Sequence, residues 1–320
     1  MSSEVREHFC KRLLGLVKLN LVFETITGLL IQMPEAAQAY RIGGADKYPM
    51  VTRKIYSIDG KDLELEVPFI PGSSLKGRMR SLLELAHGLK LYTTDRKIWQ
   101  HVRSLQAMKD FNDFVEDVRS RDVVDELFGW AAVNYKQILD AANHAKIPEP
   151  EKVVNEIFSI LAPTRLLFSD FFPTQEYIVT HKVTSIADFL EEKPENRIDR
   201  VTSAADPREV VRVRPGVRFE GTITLLLFDK DDDVVKGEKL VNRYIDTILL
   251  GLQLIEETYI GSSGSRGYGR VRIVGRDITV YKIEPVTSKL IQVELLPFKD
   301  FKELQGHREK MVSTVEQLFK

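Results

Sequence analysis

Residues 261–270 read GSSGSRGYGR and stand just before a strand-like segment at 271–274. Glycine lets a backbone adopt positive φ and approach a ligand closely, so successive N–H groups can converge on an anion. Arginine adds charge-assisted hydrogen bonds to phosphate, and a tyrosine ring can stack on a base. We therefore predict a phosphate-binding loop with the contacting residues Gly261, Ser263, Ser265, Arg266, Tyr268 and Arg270. A flexible hairpin turn has the same composition and is the alternative.

A second basic motif lies at residues 67–84, which read VPFIPGSSLKGRMRSLLE. An extended apolar piece passes through a Pro-Gly turn into an amphipathic helix, for which Ser73 or Ser74 is the predicted N-cap. The first turns of this helix carry three basic residues, Lys76, Arg78 and Arg80. Because helix N-termini attract anions, we predict a second phosphate site formed by the two serines and these basic residues.

Taken together and in this order, the two motifs resemble the CRISPR-associated RAMP superfamily, and within it the type III (Csm-like) effector backbone subunit. The resemblance covers roughly the first ninety residues and the chain from about 160 to 283. It implies a subunit that binds CRISPR guide RNA, lines up with copies of itself as a helical filament, holds complementary target RNA and contacts other subunits of the complex. Sequence recognition would come from base pairing between guide and target.

A third candidate segment, 196–219, is rich in arginine and is interrupted by turn residues at 202–207. Arginine grips phosphate bidentately and stacks on bases, which favours contact with RNA over a plain solvated hairpin. The predicted RNA-binding arginines are Arg197, Arg200, Arg208 and Arg212. In the family that this chain resembles, a β-hairpin thumb reaches over the RNA, which implies a thumb at about 180–215. A solvated charged hairpin is the alternative.

The resemblance also implies a catalytic residue. Residues 41–51 read RIGGADKYPMV, and Asp46 matches the aspartate that the family places just before a short polar–Pro–apolar stretch. That aspartate is assigned to metal-dependent cleavage of target RNA. A carboxylate can serve by holding Mg²⁺ or another divalent cation, or by helping to deprotonate a 2′-hydroxyl. An aspartate after Gly-Gly-Ala is also an ordinary turn residue.

Two other functions stay open. Many relatives carry a histidine where this chain has Leu30, which leaves a non-catalytic structural backbone subunit as an alternative. A guide-processing endoribonuclease of the same superfamily shares the glycine-rich loop but usually relies on histidine, and the segment FIPGSSLKG at 69–77 argues against it.

The hydrophobic period predicts an α+β fold. Leu19, Leu21 and Phe23 alternate with polar residues, as in a half-buried strand. The predicted elements are, in order, a strand near 19–23, a helix at 74–90, strands at 165–168 and 217–225, a helix at about 237–257 and a strand at 271–274. Strand–helix–strand repeated twice is the split βαβ order of a ferredoxin-like or RRM-like core, here with a helical insertion and a protruding β-hairpin thumb.

The predicted domain boundaries follow from the same patterns. The ranges are 10–90 and 162–283 for the RRM-like RAMP core with its thumb, 91–161 for the helical insertion, and 284–320 for an extension of strand and helix. We also expect strands near 277–283 and 289–296 and a C-terminal helix near 299–319.

Composition limits the possible functions. The 320 residues include 46 basic and 47 acidic side chains, so RNA affinity must come from local patches rather than from net charge. The single Cys10 excludes an internal disulfide and any zinc site built from several thiolates. There is no apolar run near the roughly 20 residues of a membrane span and no signal-peptide core. We expect a soluble cytoplasmic protein without a membrane partner.

Overall fold

A computed structural model describes residues 12–34, 47–93, 95–101, 110–130, 134–160, 163–235 and 237–320. Its strands are β1 (Leu13–Thr25), β2 (Val51–Ile58), β3 (Lys61–Pro68), β4 (Leu166–Phe168), β5 (Phe172–Pro173), β6 (Leu190–Ile198), β7 (Ala205–Val213), β8 (Arg218–Phe228), β9 (Val234–Val235), β10 (Glu238–Lys239), β11 (Val271–Ile273), β12 (Asp277–Glu284) and β13 (Lys289–Pro297). Its α-helices are α1 (Gly72–Ala86), α2 (Phe111–Arg119), α3 (Val123–Phe128), α4 (Tyr135–His144), α5 (Pro150–Ile160), α6 (Gln175–Thr180), α7 (Leu240–Glu257), α8 (Phe301–Gly306) and α9 (Arg308–Glu316). Short 3₁₀ helices lie at Ile186–Phe189, Gly264–Arg266 and Gln317–Phe319. The fold therefore mixes helix and strand, as predicted.

The main sheet is built around β1. Its order is β13-β12-β1-β8-β4, with β11 beside β1 and β5 beside β8, and every pairing in it is antiparallel. The alternation in β1 sends Leu19 and Phe23 into the core, and Leu19 pairs with Ile223 on one side and Ile278 on the other. This period-2 pattern is the one that the sequence predicted for residues 19–23.

Two helices cover one face of this sheet. In α1 the apolar residues Leu75, Met79 and Leu83 recur every four positions and are fully buried. They meet α7 at Gly251, where a Cβ would lie 2.4 Å from Cε of Met79. The predicted helices at 74–90 and 237–257 are thus present, and the glycine lets them approach closely.

The helices in the stretch predicted as an insertion belong to two different hydrophobic cores. Helices α2, α4 and α5 share a small separate core around Phe114, Ile138 and Val154. Helix α3 belongs to the main core instead, and it joins a buried polar network. Arg165 Nη2 donates to Oδ1 of Asp231 at 2.7 Å, and the Tyr244 hydroxyl donates to Glu126 of α3.

Strands β6 and β7 form a hairpin that we call the 190–213 hairpin. Their register runs from Leu190 opposite Val213 to Ile198 opposite Ala205. Only Val210 and Val213 of β7 are buried, so the distal half of the hairpin contributes little to the core. At its base, Leu29 and Val213 exchange backbone hydrogen bonds of 2.8 and 2.9 Å.

One local prediction was wrong. Helix α1 begins at Gly72 after Pro71, and neither Ser73 nor Ser74 caps it; instead, Oδ1 of Asp170 accepts from the Gly72 N–H at 2.7 Å. The predicted C-terminal helix is present as two helices, α8 and α9, which are separated only by His307. Within the part of the chain that the structure describes, no helix is long and apolar enough to span a membrane.

Candidate nucleic-acid interface

The glycine-rich loop packs against the segment after β1. Ser262 N–H donates to the Leu30 carbonyl at 2.8 Å, and Gly269 N–H donates to the Gly28 carbonyl at 2.9 Å. Gly261 has a φ of +81°, and a Cβ there would lie 2.4 Å from the Leu30 oxygen. The glycines are therefore required by contacts within the protein, and the loop has a fixed shape.

The predicted contacts of this loop divide into an exposed and an internal set. Ser265, Arg266 and Arg270 are exposed, and 62% of the Arg266 side chain is accessible. Gly261 and Ser263 are half-buried. Tyr268 is only 1% exposed, so its ring offers no stacking face to a base in this arrangement. The tyrosine belongs instead to a cluster with Leu30 and Val210.

Tyr268 fastens the loop to the 190–213 hairpin. Its hydroxyl donates to Oε1 of Glu195 at 2.5 Å. Lys193 Nζ and Arg212 Cζ lie 4.3 and 4.4 Å from the ring centroid, which is cation–π range. Arg212 also pairs with Glu191, at 2.7 Å between Nε and Oε1. Arg212 is therefore engaged inside the protein rather than presented to solvent.

The other three arginines of the hairpin are exposed. Arg197 and Arg208 have side chains that are 71% and 42% exposed, and both pair with the single carboxylate of Asp206, at 2.9 and 3.6 Å. Arg200 lies exposed in the turn. Exposed Asp199 and Glu209 lie at the same end, so any attraction for a polyanion rests on the exposed guanidinium groups and not on net charge.

The basic residues of α1 are used differently. Arg78 stacks on the Tyr259 ring at 3.9 Å, and its Nε donates to the Tyr259 carbonyl at 3.0 Å. Arg80 donates to Glu84 at 2.7 Å and to the carbonyls of His101 and Gly129 at 3.0 and 3.2 Å. Both guanidinium groups therefore bind internal acceptors, which the sequence prediction of phosphate contacts did not foresee.

The remaining predicted contacts of α1 lie at its first turns. Ser73 is exposed, while Ser74 and Lys76 are half-buried. Burial, and then the charge of Arg80, lower the pKa of Lys76. Since the carboxylate of Asp170 already accepts from the Gly72 N–H, a phosphate at this helix start would have to share that donor.

The predicted catalytic Asp46 lies outside the described residues. The next residue, Lys47, is described and lies against β7 of the 190–213 hairpin. Lys47 pairs in parallel with Val210, and its carbonyl accepts from the Val211 N–H at 3.0 Å. Leu30 is fully buried in the cluster with Val210. An apolar side chain suits that environment.

Within the described ranges, no three His, Cys, Asp or Glu side chains are grouped to hold a metal ion. The residues that sequence reasoning missed are those that join the segments, namely Lys193, Glu195, Asp170 and Tyr259. Glu195 lies 73 positions from its tyrosine partner, so no local pattern could have identified it.

Comparison with known proteins then decides the family. The model of the RAMP superfamily matches residues 60–272, about two thirds of the chain. This chain belongs to the RAMP superfamily. The resemblance predicted from the motifs at 67–84 and 261–270 is thereby confirmed.

The similar curated proteins refine the RAMP assignment. The "CRISPR system Cms endoribonuclease Csm3" of Methanothermobacter thermautotrophicus is 30% identical over 276 residues, which is 84% of this chain and 90% of that protein. The protein of the same name from Streptococcus thermophilus is 28% identical over 233 residues, covering 72% and 79% of the two chains. This RAMP subunit is therefore Csm-like.

A solved structure supports the same overall fold. The crystal structure of Csm3 from Methanopyrus kandleri matches with a TM-score of 0.50 at 18% identity, covering 94% of this chain and 98% of that one. At this identity the likeness concerns the fold of the RAMP subunit alone.

Proposed function

We propose that this chain is a guide-RNA-binding backbone subunit of a type III CRISPR effector complex, and that it cleaves bound target RNA at regular intervals. The supporting observation is that three segments singled out in the sequence meet at one place. Gly269 of the glycine-rich loop bonds to Gly28, Leu29 bonds to Val213 of the 190–213 hairpin, and Lys47 pairs with the same strand. The relatives named endoribonuclease Csm3 support cleavage.

The proposal includes a ferredoxin-like core with a thumb. In chain order, β1, α1, β4, β8, α7 and β11 give strand–helix–strand twice. In space, β11 and β12 flank β1 on one side, and β8 and then β4 lie on the other. Counted in chain order, the core strands β1, β4, β8 and β11 are the first to fourth, and across the sheet they lie in the order fourth, first, third, second. This order supports a split βαβ fold. The 190–213 hairpin would be the thumb, 91–161 the insertion and 284–320 the extension.

RNA binding would use the charges that face solvent. Arg197, Arg200 and Arg208 of the hairpin and Arg266 and Arg270 of the loop are exposed. They would neutralise phosphates and read the shape of the guide, while base pairing selects the target. Copies of the subunit would make heterologous head-to-tail contacts along the guide, beside other subunits of the complex.

Cleavage would depend on Asp46. In one role its carboxylate would take the proton of a target 2′-hydroxyl as that oxygen attacks the adjacent phosphorus; the bond to the 5′ oxygen breaks, which leaves a 2′,3′-cyclic phosphate and a 5′-hydroxyl protonated by water. In the other role the carboxylate, with phosphate oxygens and water, would hold Mg²⁺, which would neutralise charge on the phosphate when bound. The role of this chain is to hold Asp46 and the RNA in register.

A non-catalytic structural subunit of the same complex is the second candidate. The observation that favours it is Leu30, which is buried in an apolar cluster and places no acid–base group beside the loop. A guide-processing endoribonuclease is less well supported, because that class relies on histidine.

Replacing Asp46 with alanine separates the first two candidates. We expect the Asp46→Ala complex to assemble and to bind target RNA normally, while magnesium-dependent cleavage falls by about a hundred-fold or more. The products of the wild-type complex should be spaced at the subunit repeat. Rates are measured on assembled complex with labelled target RNA.

The matched control for Asp46→Ala is Asp229→Ala, which removes an exposed carboxylate at the opposite end of β8 from the loop. It should cut at the wild-type rate. A wild-type complex that binds complementary RNA and never cuts it would establish the structural subunit, and normal cutting by Asp46→Ala would move catalysis to another residue.

A further inference from the structure

We propose that Tyr268 and Glu195 are positioning residues for target cleavage: by fastening the glycine-rich loop to the 190–213 hairpin, they fix the strand that holds the backbone next to Asp46. This inference rests on the proposed function. It is independent of any direct contact between either residue and RNA.

The two residues form an enclosed, charge-assisted pair. The Tyr268 hydroxyl donates to Glu195 at 2.5 Å, and the tyrosine is almost fully buried. Around Glu195, Lys193 Nζ and Arg266 Nη1 lie 3.7 and 3.5 Å from its carboxylate oxygens. Two cations beside one acceptor keep Glu195 ionised, and a bond to an ionised acceptor is stronger than a neutral one.

The proton positions agree with this arrangement. The hydrogen bond from Tyr268, with the charges of Lys193 and Arg266, lowers the pKa of Glu195. Burial, and then the neighbouring Glu195, raise the pKa of Tyr268 to about 12. At neutral pH the tyrosine is therefore the donor and the glutamate the ionised acceptor.

A short path leads from the pair to Asp46. Tyr268 packs with Val210 and Leu30. Val210 is the β7 partner of Lys47, and the neighbouring Val211 N–H donates to the Lys47 carbonyl at 3.0 Å. Lys47 directly follows Asp46 in the chain. The strand position that Tyr268 contacts is thus one residue away from the backbone that carries the carboxylate.

The pair is suited to set position rather than to maintain the fold. The base of the hairpin is held separately by the two hydrogen bonds between Leu29 and Val213. Losing the tyrosine hydroxyl should therefore leave the hairpin attached and let the β7 strand shift. A displacement on the order of 1 Å at a reacting group can lower a rate by about a hundred-fold, so a partial shift should lower it by about ten-fold.

The test uses the assembled complex with its guide RNA. The single-turnover cleavage rate and the affinity for target RNA are measured for Tyr268→Phe, for Glu195→Gln and for the double variant. We expect each single change to lower the cleavage rate by about ten-fold and to change target affinity by less than about two-fold. Because the two side chains act as one pair, the double variant should cut no more slowly than either single variant.

The matched control is Tyr244→Phe. Tyr244 also donates its hydroxyl to a glutamate, Glu126, but does so in the main core beside Arg165. This variant should lose stability and keep the wild-type cleavage rate in complexes that assemble. A merely structural role for Tyr268 predicts that both tyrosine variants behave alike.

Three results would overturn the positioning role while the proposed function stands: wild-type cleavage by Tyr268→Phe, a double variant whose loss is the product of the single losses, or an equal loss in Tyr244→Phe. A wild-type complex that never cuts removes the proposed cleavage itself, and with it any positioning role. If Tyr268→Phe fails to assemble, the nearly isosteric Glu195→Gln still decides the question.

Discussion

Helix α1 and the 190–213 hairpin are both rich in basic residues, yet they present different charge to solvent. In α1, Arg78 and Arg80 donate to carbonyls and to Glu84 inside the protein. In the hairpin, Arg197 and Arg208 share one acid and stay exposed. The sequence shows how many positive charges each segment carries, but the surrounding fold determines which of them can contact a phosphate.

The difference comes from the partners of each element. One face of α1 packs on α7, and from its middle turns Arg78 and Arg80 reach the backbone carbonyls of Tyr259, His101 and Gly129. Strands β6 and β7 form a two-stranded sheet of their own, and every residue of its distal half, 196–209, is exposed in the part of the chain that the structure describes. Three predictions test this contrast.

The largest effect should follow from Arg80→Ala. The change leaves the buried carboxylate of Glu84 without its cation and removes the Arg80 donors to the carbonyls of His101 and Gly129. Breaking such a buried pair costs about 3–5 kcal/mol in the free energy of unfolding. Urea denaturation measures the loss, and RNA affinity per folded molecule should stay unchanged.

Arg53→Ala is the control for Arg80→Ala. The Arg53 side chain is 80% exposed, and its Nη1 lies 3.7 Å from Oε1 of Glu64. A surface pair of this kind should change stability by less than about 1 kcal/mol. If Arg80→Ala were as stable as wild type and lost RNA affinity, α1 would be an RNA surface after all.

A smaller effect should follow from replacing Arg197, Arg200 and Arg208 together with alanine. Affinity for single-stranded RNA should fall by about ten-fold or more, and the slope of log affinity against log salt should become shallower by about 2, which is about 0.7 for each lost phosphate contact. Thermal stability should stay close to wild type, since these side chains are exposed. Titrations at several salt concentrations measure both quantities.

The control triple variant removes three exposed bases from the insertion, namely Arg119, Lys136 and Lys152. It changes net charge by the same amount. Equal losses of RNA affinity in the two triple variants would mean that overall charge, and not the hairpin, attracts the RNA.

The smallest effect concerns Glu195, the hairpin carboxylate that accepts from Tyr268 of the loop. Because its folded pKa is lowered, Glu195 stabilises the fold at pH values above its unfolded pKa, and that contribution is lost as pH falls through the folded pKa. Glu195→Gln should therefore cost less than about 1 kcal/mol at pH 7, and the difference from wild type should shrink as pH falls below the usual range of a glutamate and through the lowered pKa of Glu195. A difference that grows on acidification would contradict the ionised pair.

Regular elements were predictable where one periodic pattern determined them. The alternation in β1 and the four-residue spacing in α1 and α7 were visible in the sequence and are present. The β2–β3 hairpin was not predicted, although Asp59 and Gly60 both have positive φ and form a known turn signature. That signal was readable.

Features that depend on distant residues were not predictable. The carboxylate that accepts from the first N–H of α1 belongs to Asp170, nearly a hundred positions away. The N-cap prediction considered only the neighbouring serines and was therefore wrong. Tyr268 has the sequence context of an exposed stacking residue, and only its contact with Glu195 explains its burial. The prediction for Asp46 stays a prediction.

The buried network around α3 bears on how this protein can be rebuilt. Glu126 of α3 and the carbonyls of His101 and Gly129 are the acceptors for Tyr244 and Arg80, which belong to the helices of the main core. Deleting residues 91–161 would remove the hydrogen-bond partner of the Tyr244 hydroxyl and the carbonyl partners of the Arg80 guanidinium, and a buried polar group without a partner is costly. A shortened relative must therefore carry different side chains at positions 80 and 244, and a chimera that swaps this stretch must exchange them as well.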